Sequence, residues 1–405
     1  MFKNFNMIAY FFFAVGLSAQ ILVGRHFGAK QPEAIRRQVQ QSLWAALFCG
    51  FVAMALIGIG VWLLSLVPFE AEVQRIGRGY LAVMILAAMP MALMPVLRTS
   101  IEAMNQTHGV MLINVSAFLL NIPLDYALVF GRWGFPALGG IGCAVASVVM
   151  YWCVIISFYF MLSRHPANRH LQVFKGFPRP DRQHIFRTLR LGLPIGLSVL
   201  IELAFFAGAG VLITLFGAIA ASAHSVAIST ASLAFMLYMG LGQGVTIRAS
   251  QALGAGRPDL ARFSTRKGLY LTISLACLVS VVLITFRHQI PGLFSSDVEV
   301  IELAAALLLW AAIFQLADAA QICAVSGLRA YKDTDSAPRY QFAAFWVVAF
   351  PLALGLAYYS VWPILAGPSG YWVAMVAGLV IAAVLLIKRL NQVSLMEMSD
   401  LNPKN

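Results

Sequence analysis

Apolar residues in this chain do not alternate with polar ones. They gather in blocks of about 20, the length a helix needs to span the hydrocarbon core of a bilayer, and short polar connections separate the blocks. Eleven such blocks predict eleven helices, at about 5–24, 42–67, 79–97, 109–130, 139–163, 191–216, 221–247, 268–287, 300–327, 340–360 and 370–387. Most carry an interior Gly or Pro, which membrane helices tolerate because neighbouring helices satisfy the freed backbone groups. The pattern predicts an all-α polytopic membrane protein.

The connections repeat. "GAKQPEAIRR" begins at Gly28 and "GAGRPDLARF" at Gly254, an offset of 226. "IEAMNQT" at 101–107 matches "LRAYKDT" at 328–334, offset 227. Pro123 and Leu124 match Pro351 and Leu352, and Gly139 and Gly142 match Gly367 and Gly370, offset 228. Loop residues kept in order at a nearly constant offset predict two homologous helical bundles in a parallel repeat, one of the recognised transporter architectures. The expected organisation is a five-helix N-terminal bundle at 1–163, a basic linker at 164–190, a six-helix C-terminal bundle at 191–390 and a tail at 391–405. Six helices against five predicts a twelve-helix plan with eleven present, the first helix of the N-terminal bundle being the one missing.

Composition agrees: 60% of residues are hydrophobic and 11% charged, against about half and a quarter in soluble domains. The net charge of +12 has a topological cause. Alternate connections (25–41, 98–108, 164–190, 248–267, 328–339 and the C-terminal end) hold 23 of the 28 Lys and Arg residues. Basic residues stay on the cytoplasmic side, which predicts an outside N-terminus for this chain and a cytoplasmic C-terminus. No folded basic domain with interleaved aromatics is present, so nucleic acid is not an expected partner. Cys49, Cys143, Cys153, Cys277 and Cys323 all fall inside apolar blocks, without metal-ligand spacing. Walker A, HExxH and GxSxG sequences are absent, so neither an enzyme nor a bound cofactor is expected.

Three acids lie inside predicted spans: Asp125, Glu202 and Asp318. A charge at the membrane centre costs at least about 2.5 kcal/mol, so an ionisable residue there is a functional candidate by default. The alternative is a helix-end position or a bond to a neighbouring helix. Glu202 and Asp318 lie deep in their spans and could converge. Two close carboxylates bind a cation such as Na⁺, or one of them takes a proton. Asn121 and Asp125 share a helix face, with Pro123 between them freeing a carbonyl one turn earlier. Phe205, Phe206, Phe235, Met236, Tyr238 and Phe314 surround the deep acids in sequence. Aromatic faces attract organic cations, though such residues also serve as packing. His224 is a candidate proton relay or a packing histidine.

"IRASQALGAGRPDLAR" (247–262), "LLNIPLDYALVFGRWGFPALGGIGCAVAS" (119–147) and "LADAAQICAVSGLRAYKDT" (316–334) resemble the MATE (multidrug and toxin extrusion) family of antiporters, in its NorM-like bacterial branch. The resemblance covers essentially the whole chain. It implies twelve helices in two lobes around a central cleft, Na⁺ or H⁺ as coupling ion, organic cations as substrates, and a monomer in the bacterial inner membrane. It implies that Glu202 and Asp318 form the cation site of the C-terminal lobe. Asn121 and Asp125 match a second site, completed in the family by an aspartate on the missing first helix. Phe206, Phe235, Met236 and Phe314 are the expected substrate-facing residues. The alternatives from other classes are a lipid-linked sugar flippase of the same superfamily and a truncated, non-transporting membrane protein.

Overall fold

The computed structural model describes the backbone of residues 2–66, 71–359 and 367–400, and the side chains of these residues apart from 2–13, 15, 65, 66, 71, 73 and 400. Every regular element among them is helical. The first half contains α1 (Phe2–Gly28), α2 (Pro32–Leu66), α3 (Ala71–Ala103), α4 (Thr107–Phe130), α5 (Gly140–Arg164) and the single turn α6 (Pro166–Arg169). Then come α7 (Arg182–Ile213), α8 (Ala218–Gly254), α9 (Pro258–Thr285), a second single turn α10 (Gln289–Gly292) and α11 (Val298–Ala330). The chain ends with α12 (Ser336–Phe342), a π-helical segment (Ala343–Ala349), α13 (Phe350–Tyr359) and α14 (Pro368–Asp400). Ten helices among the described residues are long and apolar enough to cross a bilayer. The block at 5–24 lies in α1, where about half of the side chains fall outside the described residues.

The helices overrun the apolar blocks. Expected connections at 25–41 and 248–267 shrink to turns of three residues, because Pro32 and Pro258 start α2 and α9 at the position where a proline's missing N–H is harmless. The basic residues Arg36 and Arg37, and Arg262 and Arg266, therefore sit on helical extensions. Likewise α14 continues through 391–400.

The chain divides into two compact units, Met1–Gly196 and Leu197–Asn405, so α7 spans the division. In unit 1, α3 is the central helix and packs on α1, α2 and α5. In unit 2 its repeat partner α11 packs on α8, α9 and α14.

The repeat extends to backbone detail. Lys30 (φ 55°) corresponds to Gly256 (φ 70°), Asn105 (62°) to Lys332 (63°), and Gly139 (56°) to Gly367 (63°). The same helix-closing bonds recur: Gln31 N–H to His26 O (3.0 Å) matches Arg257 N–H to Ala252 O (2.9 Å), and Gln106 N–H to Ile101 O (3.3 Å) matches Asp333 N–H to Leu328 O (3.0 Å). These are Schellman-type closures, which need a left-handed residue. The central crossings match too. A Cβ on Gly16 would lie 2.5 Å from Pro95, whose backbone leaves it no room, and one on Gly242 would lie 2.5 Å from the Ser326 hydroxyl, so glycine gives close approach at both crossings.

One difference is local. The offset rises from 227 at Asn105/Lys332 to 228 at Pro123/Pro351, so the second half holds one extra residue between these marks. The turn before α12 lies there, five residues (331–335) where the turn before α4 has three (104–106), as does the π-helical segment Ala343–Ala349, whose wider turns hold more residues than α-helix does. Pro351 follows it, its ring opposing the carbonyl of Val347 four residues back. The equivalent stretch of α4 is ordinary α-helix around Pro123.

The segment between α6 and α7 is held against the polar start of α2. Gln40 Nε2 donates to Val173 O (2.6 Å), Gln41 Nε2 to Arg179 O (3.1 Å), and Trp44 Nε1 to Pro178 O (3.0 Å). Arg36 donates to the Lys175 carbonyl. Arg37 pairs with Asp181 at 2.9 Å, and His184 Nδ1 lies 2.8 Å from the same carboxylate. His184, then the backbone N–H of Gln183, and Arg37 hold Asp181 below the usual carboxylate range.

Candidate functional site

Unit 2 brings the two deep acids together. Glu202 projects from α7 and Asp318 from α11, and each lies within the other's electrostatic reach. Their surroundings differ. Glu202 is half-buried, and its Oε2 accepts hydrogen bonds from Gln321 Nε2 (3.2 Å) and Gln341 Nε2 (3.1 Å). Ser198, one turn before Glu202 on α7, donates to Gln341 Oε1, which turns the Gln341 amide N–H toward the carboxylate. Arg329, half-buried on α11, is the charge neighbour of Glu202, although no ion-pair contact joins them among the described residues.

Asp318 is only 1% exposed. Among the described residues, neither of its carboxylate oxygens has a hydrogen-bond partner, nor has either amide atom of Gln315, three residues earlier on α11. Gln315, Asp318, Gln321 and Arg329 occupy one side of α11 by helical spacing. Tyr238 of α8, fully buried, is the other polar group within electrostatic reach of Asp318. The structure thus adds Ser198, Gln321, Gln341, Arg329 and Gln315 to the two acids found from the sequence. A polar residue inside an apolar block was the available signal for all but Arg329, which fell within a connection at 328–339.

Among the described residues, no group of three or more His, Cys, Asp or Glu side chains could hold a metal ion. The oxygens near the pair include the two carboxylates, the buried amide oxygens of Gln315 and Gln321 and the buried hydroxyl of Tyr238. Carboxylate and amide oxygens are the ligands hard cations take.

In unit 1, Asn121 and Asp125 are half-buried one turn apart on α4, as the spacing requires, and no hydrogen bond joins them. The nearest polar partner of Asp125 is the thiol of Cys143 on α5. The position of Cys143 inside an apolar block, without metal-ligand spacing, gives no sign of this pairing.

The expected substrate-facing residues fall into two groups. Phe206 and Phe314 touch, with ring centroids 5.6 Å apart. They belong to an aromatic cluster that also contains Phe205, Phe345, Trp346 and Trp372. Phe314 is buried within it at 4% exposure. Phe235 is half-buried and Met236 is exposed on α8, and neither joins this cluster. His224 is buried, its ring edge-on to Trp372 at 5.8 Å.

The geometry can be set beside known proteins. The MatE family profile matches residues 1–127 and 194–354. The multidrug resistance protein NorM of Aliivibrio fischeri is 32% identical over 382 residues, covering 93% of this chain and 83% of that protein. The probable multidrug resistance protein NorM of Shewanella oneidensis is 32% identical over 372 residues, covering 92% and 81%. Among solved structures, the outward-facing conformation of a multidrug resistance MATE family transporter of the MOP superfamily matches with a TM-score of 0.88 at 17% identity, covering 100% of this chain and 87% of that one. The eukaryotic MATE transporter AtDTX14 gives 0.82 at 21% identity, covering 98% and 88%. The fold is that of these transporters, and the matches in sequence establish that the chain belongs to the MATE family, in its NorM-like bacterial branch.

Proposed function

We propose that this protein is a multidrug efflux antiporter of the bacterial inner membrane, exporting organic cations by alternating access in exchange for Na⁺ or H⁺. The observation that carries the reading is the pair Glu202 and Asp318, two carboxylates in mutual electrostatic reach inside an apolar helical unit. Bringing a positive charge to the pair, as a proton or as Na⁺, relieves the cost of keeping negative charge away from water. Coupling then requires that the ion and the drug each distinguish two conformations. Ion binding at the pair stabilises the outward-open state and weakens the hold on a cationic drug. Moving a population from 1:99 to 99:1 takes about 5.5 kcal/mol of differential binding, within reach of a site where burying charge costs several kcal/mol. The names of the NorM relatives support drug export as the activity.

The test is accumulation of ethidium, an aromatic cation, in cells expressing the protein. Glu202→Gln and Asp318→Asn should each raise accumulation toward the empty-vector level, with the protein present in the membrane at wild-type amounts. Unchanged efflux in both variants would remove the site assignment. Purified protein in liposomes, with Na⁺ and pH gradients imposed separately, identifies the coupling ion.

A further inference from the structure

A second site lies at the end of unit 2 that the positive-inside pattern assigns to the cytoplasm, where α9 and α14 meet. A concavity of about 310 Å³ is lined by Arg262, Arg266, Leu269, Tyr270 and Asn391. The first four stand at i, i+4, i+7 and i+8 on α9, a single stripe along the helix. Among the described residues Arg262 Nε is buried without a hydrogen-bond partner, while its Nη1 lies 3.8 Å from Met398 Sδ. Arg266 is exposed and, like Arg262, forms no ion pair among the described residues.

The neighbouring acids whose side chains are described are committed or turned away. Asp259 is bound by Arg257 at 2.9 Å, and Asp333 by Arg389 at 2.6 Å. Glu397 lies about 120° around α14 from Asn391 by helical geometry. Lys388 adds further positive charge, three residues before Asn391. Two unpaired guanidinium groups on one wall of a concavity are an incomplete arrangement, because their planar donors fit a phosphate.

The order along α9 identifies the kind of phosphate. The arginines come first, then Leu269 and Tyr270, and along the same stripe half-buried Ile273 and exposed Cys277 and Ile284 run on toward the membrane interior. A charged cup opening onto an apolar track has the axial order of a lipid: phosphate, glycerol, acyl chain. Basic pockets between membrane helices on the cytoplasmic side bind anionic headgroups. We infer that Arg262, Arg266, Tyr270 and Asn391 form a binding site for the phosphate headgroup of an anionic phospholipid of the inner leaflet, with an acyl chain lying along α9.

The test uses the full chain purified in a neutral maltoside detergent. It is titrated separately with dihexanoyl phosphatidylglycerol, dihexanoyl phosphatidylcholine and inorganic phosphate, with bound lipid counted by native mass spectrometry. Phosphatidylglycerol should bind saturably and more tightly than phosphatidylcholine, and inorganic phosphate should not displace it at equal concentration. Arg266→Gln should weaken binding about fivefold, and adding Arg262→Gln about fivefold more. Arg266 is exposed, so its single variant keeps the test valid even where the double variant fails to fold. Wild-type affinity in Arg266→Gln, equal binding of the zwitterionic lipid, or displacement by inorganic phosphate would each overturn the assignment. The readout is binding, so its outcome is independent of whether Glu202 and Asp318 couple transport.

Discussion

Glu202 and Asp318 were legible because each is an ionisable residue far inside an apolar run, where the cost of charge makes accident improbable. Their partners were not. Gln321 and Gln341 reach Glu202 across 119 and 139 residues of sequence, and a glutamine in an apolar block carries no mark of the helix it faces. Removing a donor from a carboxylate that depends on it costs about 1–3 kcal/mol. Gln341→Leu should therefore lower stability by about that amount when Glu202 is present, and by much less in a Glu202→Gln background, as thermal unfolding of the purified protein would show. Equal losses in both backgrounds would mean that the bond contributes nothing. Lys30 provides a second residue-scale test. It occupies at φ 55° the left-handed position that glycine fills at Gly256 in the other half. Lys30→Gly should stabilise the protein by up to about 1 kcal/mol, and Gly256→Ala should destabilise it by a similar amount, both visible as shifts in Tm.

At the scale of elements, the apolar blocks predicted which segments are helical but understated their length. The hydrocarbon thickness ends the apolar pattern before the hydrogen-bonded helix ends, and Pro32 and Pro258 were the signals that the helices begin earlier. The strap at 173–181 was invisible as structure, because its bonds are side-chain amides of α2 reaching backbone carbonyls far along the chain. Asp181 fastens the end of this strap. Its carboxyl is held below the ordinary value, so its contribution is present above the usual Asp range and is lost as pH falls through the lowered value. Asp181→Asn should loosen the strap at neutral pH, read as faster trypsin cleavage after Arg179 and Arg182 in detergent-solubilised protein. Unchanged cleavage would place the hold in the glutamines and Trp44 alone.

For the whole molecule, the repeat was readable from loop residues because a turn with a left-handed position constrains its sequence more than a lipid-facing helix does. The chemistry was not repeated with the fold. Glu102, bound by Arg98 at 2.8 Å, stands where the second half has Arg329, and Asp318 stands where the first has Met91. The distribution of Lys and Arg also sets a test of orientation. A green fluorescent protein fused after Asn405 should fluoresce, and alkaline phosphatase fused there should be inactive, as a cytoplasmic C-terminus requires. The reverse result would invert the whole topology, and with it the leaflet assigned to the lipid site.

The widened turn at Ala343–Ala349 has a consequence for editing the gene. A helix advances about 100° per residue, so deleting one codon from most spans would spin every later side chain off its contacts. Here the chain carries a spare step. Removing Val347 or Val348 should tighten the turn to plain α-geometry, leave Pro351 and everything beyond it in register, and give an inserted, folded protein where the same deletion in α11 would not.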